Sequence, residues 1–211
     1  MEAALLIFDL DGTLIDSRED IARAVNETLA EYGDPALPVE VIGRYVGTGV
    51  WPLVEERLVS GKGLPPEEIL AAFQRHYGAN ILVSTKLYPG ALEALKRWKS
   101  RPMAVLTNKH DDFVLPILKG LGIADCFQGS YGRHAFEERK PSGLPIRRIC
   151  EKHGVRPEAA IMVGDTSVDV RAGRAAGAMT CGVLFGYGAE AELAEADFRV
   201  SSWAELERAL S

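Results

Sequence analysis

Asp9-Leu10-Asp11-Gly12-Thr13 follows the apolar run Ala4 to Phe8, and Thr107-Asn108 follows Pro102 to Leu106. Gly164-Asp165-Thr166 follows Ala159 to Val163, with Asp169 one helical turn on, and Lys140-Pro141 precedes a helical stretch. In open α/β sheets ligands bind beyond the carboxyl ends of the strands, so residues directly after such runs carry special weight. Taken singly, Asp11 or Asp165 is an ordinary turn or N-cap residue, Thr107-Asn108 an ordinary turn, and Lys140 a solvated surface lysine. Taken together they mean more. If the strands are neighbours, Asp9, Asp11, Asp165 and Asp169 converge, and carboxylates held close in a crevice repel unless a cation or proton intervenes. Oxygen-only ligation without a nearby Cys or His pair suits magnesium, which keeps waters and shares its sphere with substrate phosphate. A phosphate also accounts for the other groups. Thr107 offers a hydroxyl, Lys140 a compact positive charge, and Leu10-Asp11-Gly12 backbone N–H groups, with Gly12 allowing close approach. A carboxylate such as Asp9 is a competent nucleophile toward phosphorus once charge repulsion is reduced, and Asp11, two residues on, can move the proton.

The elements that must position these groups follow a βαβ rhythm. Ala4 to Phe8, Pro102 to Leu106, Ala159 to Val163 and Met179 to Val183 read as strands buried on both faces. Helical periods lie between them at about 91–99, 113–120, 144–153 and 168–176, the third ending at His153-Gly154. That alternation predicts an α/β fold with a doubly wound, Rossmann-like parallel sheet. From Ser17 to Lys86 the rhythm stops. Ile21, Ala24, Val25, Thr28 and Leu29 keep a helical period, as do Leu53, Val54 and Leu58, then Ile69, Phe73 and Tyr77. The expected organisation is therefore a core of residues 1–16 and 87–211, with a helical cap subdomain, 17–86, inserted after the first strand. Hinges are expected near Asp16 and near Tyr88-Pro89-Gly90.

In order along the chain, Asp9-Leu10-Asp11-Gly12-Thr13, Thr107-Asn108, Lys140-Pro141 and Gly164-Asp165-Thr166-Ser167-Val168-Asp169 resemble the four motifs of the haloacid-dehalogenase-like hydrolase superfamily. The resemblance implies a Rossmann-like core with an inserted helical cap and a magnesium-dependent phosphatase acting through an aspartyl-phosphate. It further implies Asp9 as nucleophile and Asp11 as general acid and base, lending magnesium its backbone carbonyl. Asp165 and Asp169 would complete the metal ligands beside Asp9, and Leu10, Gly12, Thr107, Asn108 and Lys140 would make the phosphate site. An acid at the position of Asp11 argues against true dehalogenase activity, and nothing marks Lys62 or Lys86 as the Schiff-base lysine of the phosphonate-cleaving branch. Arg44 to Val50 and Gly182 to Gly188 look most like the phosphoglycolate phosphatase branch. They suggest 2-phosphoglycolate as substrate, with Arg44, Thr48 and Gly49 contacting it from the cap. Pyrophosphate, nucleotides, sugar phosphates and phosphomutase chemistry remain alternatives, and Ser142 stands where relatives often have a second proline.

Composition sets the outer bounds. Hydrophobic residues make up 47% of 211, enough to build a real core. A net charge of −6 offers no overall attraction to nucleic acid or to an anionic membrane, so the expected partner is a small phosphorylated molecule. The run Ala3 to Phe8 is too short for a signal peptide or membrane span, which predicts a cytoplasmic protein. Cys126, Cys150 and Cys181 suit neither a disulfide framework nor a zinc site, and the histidines lack metal-type spacing. Monomer and homodimer are equally compatible with the sequence.

Overall fold

A computed structural model describes residues 3–43, 45–46 and 50–210 of the chain. It divides into two compact units, residues 1–16 with 87–211, and residues 17–86.

The first unit is built on a parallel sheet. Its strands are β1 (Leu5–Phe8), β4 (Met103–Leu106), β5 (Gly129–Tyr131), β6 (Ala160–Gly164), β7 (Met179–Val183) and β8 (Phe198–Val200), in the spatial order β5-β4-β1-β6-β7-β8. The numbering leaves β2 (Ile15–Asp16) and β3 (Lys86–Leu87), which pair with each other where the chain passes between the units. β1 is central, with Phe8 in register with Val105 of β4 and Val163 of β6. Successive crossovers run from β1 to β4 and β5 on one side and then to β6, β7 and β8 on the other. The topological switch point of a doubly wound sheet thus lies at the carboxyl end of β1.

The period of two along β1 decides what each face packs against. Leu5 and Ile7 join Ala104, Leu106 and Met162 against α7 (Leu144–Lys152) and α8 (Ser167–Ala176). Phe8 points the other way. Its ring lies 6.2 Å from Trp98 and 5.7 Å from Trp203, beside α5 (Ala91–Arg97) and at the start of α9 (Trp203–Leu210). Burial of these rings fixes the strand directly beneath Asp9. Helix α6 (Asp111–Gly120) follows β4.

The sequence pattern located β1, β4, β6 and β7 and missed two edge strands. Gly129-Ser130-Tyr131 has no apolar run, and Phe198-Arg199-Val200 is too short to display alternation. Helix ends shift by one or two residues, as when α6 starts at Asp111, two before the expected Phe113. Such shifts are normal at frayed termini. The three cysteines are free and buried.

The second unit is helical: α1 (Arg18–Glu31), α2 (Val39–Gly43), α3 (Trp51–Val54) running into a π turn at Glu55–Ser60, and α4 (Pro66–Ala79). Helix α1 buries Ile21, Ala24, Val25 and Leu29, the face its period marked, while Arg75 of α4 donates to Glu31 at 2.7 Å. Asp20 is fully buried. Its carboxylate accepts the Ser84 and Thr85 N–H groups at 2.8–2.9 Å and the Thr85 hydroxyl at 2.8 Å, with the Arg23 guanidinium at 3.1 Å. A buried carboxylate is tolerated here because a cation and several donors replace its water. Among the described residues, no helix is long and apolar enough to cross a membrane.

Candidate active site

The carboxyl ends of β1, β4 and β6 bring the polar clusters together. Asp9 sits one residue past β1 and is 3% exposed; its Oδ1 accepts the Leu10 N–H at 2.7 Å and the Lys140 ammonium at 2.8 Å. Lys140 also donates to Asp169 Oδ1 at 2.6 Å, so one nearly inaccessible ammonium bridges two acids. Asp169 is the third residue of α8, and its Oδ2 accepts both the N–H and the hydroxyl of Thr166 in a capping box. Ordinary helix-start chemistry therefore aims this carboxylate. Asp165, fully buried, accepts the Tyr187 N–H at 2.7 Å and the Thr13 hydroxyl at 3.4 Å.

Asp9, Asp165 and Asp169 each present an oxygen within 4.8 Å of the others. The Asp9 carboxyl is raised from 3.8 to about 7, chiefly by burial, with Lys140 opposing the rise and Asp169 and Asp11 adding to it. Asp165 is raised well above its ordinary value by burial, then by Asp169 and Asp9. Burial alone would depress the Lys140 ammonium, but Asp169 and Asp9 outweigh it and hold it above its ordinary value. Three buried carboxylates with one lysine among them remain short of positive charge. An all-oxygen donor set of this kind fits a hard divalent cation.

Two glycines let the acids come so close. Gly12 has φ of +85°, and a Cβ there would stand 2.1 Å from Asp165 Oδ2. At Gly186 a Cβ would stand 2.2 Å from the Asp165 Cβ and 2.5 Å from the Gly12 carbonyl oxygen. The loop after β7 thus forms a wall of the site.

The structure also redistributes several expected roles. The Asp11 carboxylate is not among the three clustered acids; its Oδ1 accepts the Lys109 ammonium at 2.9 Å. The Leu10 N–H is used by Asp9, and the Gly12 N–H donates to the Ile15 carbonyl at 2.9 Å, so both amides expected to face a phosphate have partners within the chain. The Asn108 amide donates to the Lys140 carbonyl at 3.0 Å and, among the described residues, leaves its buried Oδ1 without a partner, an acceptor unsuited to an anion. Asn108 thereby braces the backbone of Lys140. The Thr107 hydroxyl accepts the Lys109 N–H at 3.1 Å and keeps its own hydrogen to donate. Arg44, Thr48 and Gly49 lie outside the described residues.

The sequence does not single out Lys109, gives Thr13 no role beyond its place in the first motif, and marks Gly182 to Gly188 only by resemblance, not as a wall of the site. Lys109 adjoins a motif that was noticed, but an isolated lysine after a turn carries no mark of burial. Tyr187 acts through its backbone, to which its side-chain type gives no clue.

The model of the haloacid dehalogenase-like hydrolase family matches residues 3–177. The chain belongs to this family. The phosphoglycolate phosphatase of Aquifex aeolicus is 41% identical over 186 residues, which are 87% of this chain and 85% of that one. That of Thiobacillus denitrificans is 34% identical over 199 residues, 91% and 88% of the two chains. The crystal structure of a predicted phosphoglycolate phosphatase from Haemophilus somnus superposes with a TM-score of 0.93 at 28% identity, covering 100% of this chain and 99% of the other. The family's characteristic fold, a Rossmann-like parallel sheet with flanking helices, is the one described above.

Proposed function

We propose that this haloacid dehalogenase-like hydrolase is a magnesium-dependent phosphatase that transfers the phosphoryl group of a small phosphorylated acid, 2-phosphoglycolate, to Asp9 and then to water. The observation that carries this reading is the setting of Asp9. It stands at the switch point of the sheet, held by the Lys140 ammonium and the Leu10 amide, with a second acid two residues on. The names of the relatives support the substrate.

In the first step an Asp9 carboxylate oxygen attacks phosphorus as the ester P–O bond breaks. Asp11 gives its proton to the departing alkoxide. In the second, Asp11 takes a proton from water as its oxygen attacks phosphorus, the Asp9–phosphorus bond breaks, and inorganic phosphate and the free carboxylate are restored. Lys140 keeps Asp9 oriented and, with the Thr107 hydroxyl, offsets the negative charge gathering on the phosphoryl oxygens. Asn108 holds the Lys140 backbone in place. Asp9, Asp165, Asp169 and the Asp11 carbonyl would hold magnesium, which when bound supplies the charge neutralisation that lets two anions approach. Residues 17–86 are read as the inserted cap subdomain, and Arg44, Thr48 and Gly49 as its candidate substrate contacts.

The test is direct. Treatment with beryllium fluoride and magnesium, or rapid quenching during turnover followed by mass spectrometry, should locate the adduct on Asp9, and Asp9→Asn should abolish it together with turnover. An adduct on another residue would overturn the mechanism. Preference for a hexose phosphate, a nucleotide or pyrophosphate by about a hundredfold in kcat/KM, some 2.7 kcal/mol of transition-state binding, would overturn the substrate alone.

A further inference from the structure

The substrate reading leaves the leaving group's carboxylate to be recognised, in a site that already holds Asp9, Asp11, Asp165 and Asp169. Lys140 is committed to Asp9 and Asp169. Among the described residues, the other ammonium paired with a site carboxylate is Lys109, whose side chain is 6% exposed and bonds the acid assigned to protonate the leaving oxygen. We propose that Lys109 is the specificity-determining residue that reads a carboxylate on the leaving group, shifting from Asp11 to the substrate when an acidic ester binds.

The distances permit it. A general acid works within about 3 Å of the oxygen it protonates. With Lys109 Nζ 2.9 Å from Asp11 Oδ1, the ammonium lies within about 6 Å of the ester oxygen. In a 2-phospho acid one methylene separates that oxygen from the carboxylate, whose oxygens stand about 3 Å away from it. A single hydrogen bond closes the remaining gap. The backbone holds Lys109 at this end of the site, since its N–H is bound by Thr107 and its carbonyl accepts the Arg133 N–H at 2.8 Å. Arg133 and Arg139 form no ion pair among the described residues, and burial together with Arg139 holds the Arg133 guanidinium below its ordinary value. Cations that lack partners favour an incoming anion over a neutral group of the same size.

This inference rests on the phosphatase reading, and the experiment separates the two. kcat/KM is measured for 2-phosphoglycolate and for 2-hydroxyethyl phosphate, which replaces the carboxylate with a neutral group of similar size, using wild type, Lys109→Met and Lys109→Arg. In wild type the carboxylate substrate should lead by tenfold or more. Lys109→Met should lower both values and collapse their ratio by about thirtyfold, the worth of one charge-assisted hydrogen bond, while Lys109→Arg should retain most of the ratio. Calorimetric binding of phosphoglycolate to Asp9→Asn with and without Lys109→Met reads the same loss in Kd without turnover, and reports on folded protein only. A ratio in Lys109→Met within twofold of wild type overturns the role of Lys109 and leaves the phosphoglycolate reading standing. A wild-type ratio near one overturns both carboxylate recognition and the assigned substrate.

Discussion

Removing divalent metal leaves the repulsion among Asp9, Asp165 and Asp169 to act on the fold, and its dependence on pH has a definite sign. Asp9 is raised from 3.8 to about 7, chiefly by burial. A carboxyl whose folded-state value is raised holds its proton more tightly folded than unfolded. Its contribution to stability is fully present below 3.8 and is lost as pH rises through about 7. About three pH units at 1.36 kcal/mol each give a loss of about 4 kcal/mol across the window, or about 1.4 kcal/mol per unit in its middle. For a chain of this size that slope lowers the melting temperature by roughly 4 °C per pH unit. Asp165 is raised too and adds to the fall. The carboxyls held below their ordinary values, Glu31, Asp34 and Glu205, contribute stability that is lost only toward acid pH, so they leave the range from pH 5 to 7 flat. The assay is calorimetric melting in chelator from pH 5 to 7.5, for wild type and Asp9→Asn, repeated with excess magnesium. Wild type without metal should lose melting temperature as pH rises, Asp9→Asn should lose much of that slope, and magnesium should flatten it by favouring the ionised cluster. A metal-free wild-type curve that is level or rises, or an unchanged slope in Asp9→Asn, refutes the electrostatic account.

Two further perturbations test how the site and the helical unit are built. Gly186→Ala places a methyl group 2.2 Å from the Asp165 Cβ, so it should cost about 3 kcal/mol in urea unfolding and weaken the magnesium-induced rise in melting temperature; wild-type values for both would mean the wall is not tight. Asp20→Ala strips the acceptor from two backbone amides and a hydroxyl, and should lower stability by about 3 kcal/mol and speed hydrogen exchange at Ser84 and Thr85. Unaltered protection there would show that Asp20 is dispensable.

The central sheet was legible because its strands are buried on both faces and therefore read as unbroken apolar runs. The edge strands Gly129–Tyr131 and Phe198–Val200 were not, since a strand with one neighbour needs less apolar surface and leaves a weaker pattern. Asp9 and Asp165 could be picked out by position after those runs, Asp169 one helical turn further on and Lys140 ahead of a helix, and the structure brings all four together. What pattern could not supply is who satisfies whom. The Gly12 amide spends its hydrogen on Ile15, the Asn108 amide on Lys140, and the Asp11 carboxylate takes up Lys109. Each of these is settled by loop geometry acting between residues whose types allow many partners. Tyr187 meets Asp165 across 22 residues through an N–H group, an interaction on which its side chain has no bearing.

The grip of Asp20 on Ser84 and Thr85 joins positions 64 and 65 residues apart, close to where residues 17–86 begin and end. Closing so long a loop has an entropic cost that grows only with the logarithm of its length, and the inserted segment meets that cost through its own contacts. A host chain then needs only to accept two ends already held side by side, as it would a hairpin. Such a segment is portable: it can be lengthened, exchanged for another helical module or replaced by a short turn without asking the parallel sheet to refold around it. A buried aspartate at the mouth of the insertion is thus what would allow one hydrolase core to be refitted for different substrates.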